Sequence, residues 1–100
     1  MKAYKLMEVR KDGTLRTLFI NRRKVIPINT WLEAEDHPTN GYAHRPGWHC
    51  TFKPVAPHLS PKNRVWVEVE VDDYKTYDRP EFQGGLWILA NRMKVNKIYA

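Results

Sequence analysis

The sequence predicts an α+β fold, mostly antiparallel β-sheet with one or two short helical segments, in a single compact domain over residues 1–100. Three observations carry this. In Arg64-Val65-Trp66-Val67-Glu68-Val69-Glu70-Val71 the valines recur at every second position, the period of a strand with one buried face. Lys11-Asp12-Gly13 separates two strand-like runs and supplies the positive-φ position that a tight hairpin needs. Pro54 to Leu59 opens on a proline and reads as a helical turn, which Pro57 keeps short.

Taken in order, Ala3 to Arg10 and Thr14 to Ile20 are the two strands of the first hairpin. Asn21-Arg22-Arg23-Lys24 is a polar break, and Val25-Ile26-Pro27-Ile28 is a connector whose proline confines it to a sheet edge. Trp31 to Glu35 is compatible with a strand or one helical turn, and Pro38 and Asn40-Gly41 end it. Residues 36–47, with two prolines, two glycines and two histidines, form a long loop of the kind that carries function. Trp48 to Phe52 reads as a short strand. Beyond Val71 an acidic, aromatic stretch to Gly85 reads as a long excursion before strands at Leu86–Ala90 and Met93–Tyr99.

Composition narrows the function classes. One hundred residues bury one core. No apolar run reaches the ~18 residues of a membrane span, and Met1-Lys2-Ala3-Tyr4-Lys5 lacks the apolar stretch of a signal peptide. Cys50 is the single cysteine, so no internal disulfide forms; a reducing, cytoplasmic setting is expected. The net charge of +6 is uneven: residues 1–32 hold eight Lys and Arg against Glu8 and Asp12, whereas residues 68–81 hold six acids against Lys75 and Arg79. A basic third of this kind attracts phosphates or an acidic protein.

Two constellations follow. Arg16, Arg22, Arg23 and Lys24, joined by Lys53, Lys62 and Arg64, are candidates for a surface that contacts nucleic acid or an acidic partner, with Trp31 or Trp48 available to stack on bases. A solvated charged face has the same composition, and no helix-turn-helix, zinc-finger or RNA-recognition signature accompanies the charge. Tyr42, His44, Arg45, Trp48 and His49, with Glu68 and Glu70 sharing one face of a strand, are the candidate pocket: rings to stack, a guanidinium for anions, carboxylates for acid–base or ribose contacts. Equally, alternate glutamates opposite an all-valine face describe the wet side of a half-buried sheet. His49 and Cys50 are adjacent on a strand, point to opposite faces and cannot share one metal ion, so no metal and no cofactor is expected. A nucleophilic Cys50 has no supporting spacing, and no catalytic residue is assigned. Tyr74, Tyr77 and Phe82 are a further candidate patch, for self-association.

Lys2-Ala3-Tyr4-Lys5, Gly47-Trp48-His49-Cys50 with Pro54, Val67-Glu68-Val69-Glu70 and Ala90-Asn91-Arg92-Met93-Lys94-Val95 together resemble small accessory proteins of bacteriophages and prophages. In those proteins a Gly-aromatic-His-x-Cys segment precedes a Val-Glu-rich strand, whereas Cys50 here follows His49 directly. The resemblance implies a non-catalytic phage accessory protein and no particular activity. Glu68-Val69-Glu70 is also similar to the Glu-x-Glu strand of ADP-ribosyltransferases. That likeness implies a nucleotide-binding module, although this chain has no early-strand histidine and only Arg10 or Arg16 would take its place.

Overall fold

The computed structural model describes residues 1–18, 23–34, 47–56, 58–60 and 62–99. Phe19 and Ile20 of the second predicted strand, Arg22, and the loop members Tyr42, His44 and Arg45 lie outside the described residues. The described chain is nearly all β, which corrects the α+β expectation. Six strands run in the order β1 (Lys2–Val9), β2 (Leu15–Arg16), β3 (Trp31–Glu33), β4 (Trp48–Thr51), β5 (Arg64–Asp78) and β6 (Leu86–Ile98), and the helical content is one 3-10 turn at Glu81–Gln83. Residues 54–56 and 58–60 make only a turn, closed by Leu59 N–H donating to the Ala56 carbonyl at 3.0 Å. The physical reason is the proline pair: Pro54 and Pro57 have no N–H to give, and the side chain of Ala56 is already buried.

All strand pairs are antiparallel, and they close on themselves. β1 pairs β5, β5 pairs β6, β6 pairs β4, and β4 returns to β1 through Tyr4 and Thr51. The result is a small barrel, with β2 extending the wall beside the end of β1 and β3 beside the second half of β6. Bridges Leu15–Ile26 and Ile28–Val95 carry the wall between them, and Pro27 sits between the two bridges without interrupting a ladder. Closure removes most of the open edges that a sheet of this size would otherwise present.

The interior is filled by the valine face that the sequence announces. Val67 and Val69 are fully buried and Val71 nearly so, packed with Ala3, Met7, Cys50, Ile88, Met93 and Val95. Each such valine, isoleucine or methionine withdrawn from water stabilises the fold by about 1.5–3 kcal/mol before the cost of chain ordering is counted. The Asp12-Gly13 turn is also as expected. Gly13 has φ +83°, Arg10 N–H donates to the Thr14 carbonyl at 2.9 Å, and the Asp12 carboxylate accepts from Thr14 N–H and from its hydroxyl at 3.0 and 2.7 Å. Those two hydrogen bonds hold the exposed Asp12 carboxyl below its usual pKa.

The predicted excursion after Val71 is instead strand. β5 continues to Asp78, and the two predicted strands after Gly85 are one continuous β6. The disguise has a local cause. Asp73 takes φ +49°, and on β6 the fully buried positions jump from Ile88 and Ala90 to Met93 and Val95, three residues apart where an even strand allows two. At that kink Asn91 Nδ2 donates to the Asp73 carboxylate at 3.0 Å. The far half of β5, beyond the β1 pairing, turns most of its side chains to water, so no apolar alternation marks it.

Candidate functional site

The sharpest electrostatic feature lies at the β2 end of the barrel. Glu8 on β1 has Arg16 of β2 as its Cα partner on one side and Arg64 of β5 on the other, so Arg16, Glu8 and Arg64 form one row across three strands on the outer face. Arg10, two residues on and on the same face, sets its Nε 2.7 Å from the Glu8 carboxylate. The guanidiniums are held by backbone: Arg16 donates to the Arg23 carbonyl and Arg64 to the Ser60 carbonyl. Arg16 therefore brings Arg23 and Lys24 to this end, and Asn63, whose carbonyl accepts from Val9 N–H at 3.0 Å, brings Lys62. Arg10, Lys11, Arg16, Arg23, Lys24, Lys62 and Arg64 thus gather around the end of β1 with Glu8 and Asp12 as the acids among them. The remaining described charges nearly balance, eight Lys and Arg against seven Asp and Glu.

Of the basic residues singled out from sequence, Arg16, Arg23, Lys24, Lys62 and Arg64 meet here. Lys53 does not; it follows β4, which pairs with β1 at Tyr4, toward the opposite end of that strand. Arg10, ion-paired with Glu8, is not among the residues that the sequence groups into that surface. Its signal was present in the period-two spacing of Glu8 and Arg10, but only the β2 and β5 registers show that Arg16 and Arg64 flank them.

The described members of the candidate pocket are dispersed. Trp48 points inward, buried, its Nε1 donating to the Leu32 carbonyl at 3.2 Å. His49 points outward and its Nδ1 lies 2.7 Å from the Tyr77 hydroxyl. Glu68 and Glu70 stand on the outer face of the first half of β5, which β1 and β6 separate from β4 in the ring. There they belong to a charge ladder: Glu68 lies between Lys2, 3.4 Å away, and Lys97, and Glu70 stands opposite Lys2 on β1 and Lys94 on β6. Cross-strand ion pairs of this kind are structural and modest in strength. A shallow depression of about 170 Å³ lies at the kink, lined by Asp73, Tyr74, Lys75, Leu89 and Asn91. That is smaller than the several hundred Å3 a nucleotide-sized ligand fills. Among the described residues no three His, Cys, Asp or Glu side chains come together as metal ligands.

The two tryptophans proposed to stack on bases are placed differently. Trp48 is in the core; Trp31 is exposed on β3, with Arg92 4.8 Å and Lys94 5.4 Å from its ring, and Arg92 is itself paired to Glu33 and Asp72 at 3.1 and 3.0 Å. Among the described residues, other aromatic side chains follow the basic row along the outer face. On the outer face, the row next to Glu8 and Arg64 is Leu6 and Trp66, and the following one is Tyr4 and Glu68. Tyr99 N–H donates to the Trp66 carbonyl at 2.8 Å, and its ring meets Tyr4 edge to face at 5.2 Å.

One buried pair has a measurable consequence. Lys5 lies on the Ala3–Met7 face of β1, opposite Val67, and donates to the His49 carbonyl at 2.9 Å beside Cys50. Burial lowers the Lys5 pKa, and burial pushes the Cys50 thiol up to about 11, with the nearby ammonium pulling it partly back. The thiol is thus no nucleophile at neutral pH. Because the folded chain holds the Cys50 proton beyond the point at which the unfolded chain releases it, stability from this group is complete below about pH 9 and is lost as pH rises toward 11. Lys5 acts in the opposite sense, since the unfolded chain binds its proton more readily. In a Lys5→Met background, thermal melts between pH 8 and pH 11 are expected to show a steep alkaline loss, and Cys50→Ala in that background flattens it. An unchanged profile in the double variant would exclude this assignment.

Fold and site together define a small closed antiparallel β-barrel with one cationic end. Compared with family models, curated proteins and solved structures, the chain matches none. No described helix is long and apolar enough to cross a membrane.

Proposed function

We propose that this chain is a non-catalytic binding module that engages the phosphates of nucleic acid through the arginine row Arg16–Glu8–Arg64 and the flanking Arg10, Arg23, Lys24 and Lys62. The observation that supports the reading is the segregation of charge: nearly all of the net positive charge of the described residues sits at one end of an otherwise balanced barrel. A merely solubilising charge has no reason to collect there. Arginine predominates in the row, and its planar fork suits bidentate contact with phosphate oxygens. The likeness to small phage proteins supplies the setting, an accessory protein acting in the host cytoplasm, where the single thiol stays reduced.

The test is a binding titration by fluorescence anisotropy with labelled DNA and RNA oligonucleotides between 20 and 200 mM salt. Expected is a dissociation constant that weakens linearly on a log–log plot, by about 0.7 to 0.9 log units per phosphate contacted for each tenfold rise in salt. Poly-glutamate of matched charge is the competitor. If it displaces the oligonucleotide as well as unlabelled nucleic acid does, the partner is an acidic protein and the nucleic-acid reading is overturned.

A further inference from the structure

We infer that the nucleic acid this barrel binds is single-stranded, held by base stacking on Tyr99 and its neighbours while the arginine row takes the phosphates. The inference rests on the reading of the basic end as a phosphate-binding surface and adds what lies beside it. Arg64 and Trp66 are two apart on β5 and share the outer face, so guanidinium and indole are one strand repeat, about 6.6 Å, apart along the strand. Tyr99 extends β6 beside Trp66 on the same face, and Tyr4 closes the group from β1. Three rings on three adjacent strands therefore follow the arginine row along the outer face, Trp66 in the next row and Tyr4 in the one after it. Tyr99 is 45% exposed, whereas Trp66 and Tyr4 are half-buried and brace it.

This juxtaposition discriminates between forms of nucleic acid. A duplex hides the faces of its bases and leaves only their groove edges and the phosphates accessible, whereas a single strand offers phosphates and unstacked base faces together. Rings placed beside guanidiniums on an open sheet face fit the second arrangement. The acids of this face do not oppose it: the Glu8 carboxylate lies among Arg10, Arg16 and Arg64, and Glu68 lies between Lys2 and Lys97. The core is unaffected by changes at Tyr99, which makes no contribution to the barrel interior.

The experiment compares a fluorescein-labelled dT20 strand, a U20 strand and a 20-base-pair duplex at one salt concentration, for the natural chain, Tyr99→Ala and Tyr99→Phe. Expected is at least tenfold tighter binding of the single strands than of the duplex. Tyr99→Ala should weaken single-strand binding about tenfold, within the range of one lost base stack, leave duplex binding unchanged, and lower the melting temperature only by the lost edge-to-face contact with Tyr4. Tyr99→Phe, which keeps the ring and loses only the hydroxyl, should retain the natural affinity. Equal affinity for strand and duplex, or a Tyr99→Ala variant that binds single strands normally, overturns the inference while leaving phosphate binding standing. Absence of binding to all three probes would instead remove the nucleic-acid reading itself, and this inference with it.

Discussion

Gly47→Ala is expected to lower the unfolding free energy by about 2–4 kcal/mol, the sum of backbone strain and overpacking at one position. Gly47 enters β4 with φ +138°, a conformation that side-chain-bearing residues rarely adopt. A Cβ there would also lie 2.7 Å from Leu89 Cδ1 and 3.1 Å from the Ala90 carbonyl oxygen. Leu89 is itself buried and the carbonyl belongs to the β4–β6 wall, so neither yields without disturbing the ladder that places Trp48 and Cys50 in the core. Urea denaturation followed by tryptophan fluorescence measures the loss directly. A change below about 0.5 kcal/mol, the range of an ordinary surface substitution, would show that the entry to β4 is not constrained in this way.

The largest functional effect is expected from the double variant Arg16→Gln with Arg64→Gln. Each substitution removes one charged contact of about 1.5 kcal/mol or more, so together they should weaken oligonucleotide binding about a hundredfold at low salt and flatten the salt dependence. Glutamine places no like charge beside Glu8, which stays paired with Arg10, so the melting temperature should fall only modestly. Lys53→Gln is the informative control. Its sequence neighbourhood groups it with the basic residues, yet its place after β4 puts it away from the row, and its loss should leave affinity within about twofold. An effect of Lys53→Gln as large as that of the double variant would mean that binding follows total charge and not the surface described.

Several elements were legible in the chain because each rests on neighbours in sequence. The Asp12-Gly13 turn, the strand expected over Trp48–Phe52 and the inward valines of Arg64–Val71 depend on a two-residue period or a single positive-φ position; all three stand in the structure, the strand ending one residue earlier at Thr51. The helical turn expected from Pro54 does not form, and the strand from Asp72 to Asp78 was hidden because its exposed side chains leave no apolar rhythm. The candidate surface was legible only in part. Arg16, Arg23, Lys24, Lys62 and Arg64 carry their charge openly in the sequence, but nothing local separates them from Lys53 or joins them to Arg10 and Tyr99.

What the sequence determined on its own was therefore the face each short strand turns inward and the sign of its charge, because side-chain direction along a strand is a property of adjacent residues. Barrel closure, the flanking of Glu8 by arginines from two other strands, the ion-paired state of Glu68 and the placing of three rings beside the arginine row were decided by tertiary structure alone. These depend on which strand lies beside which and in what register, and such pairings join residues far apart in the chain through backbone hydrogen bonds that are the same for every side chain.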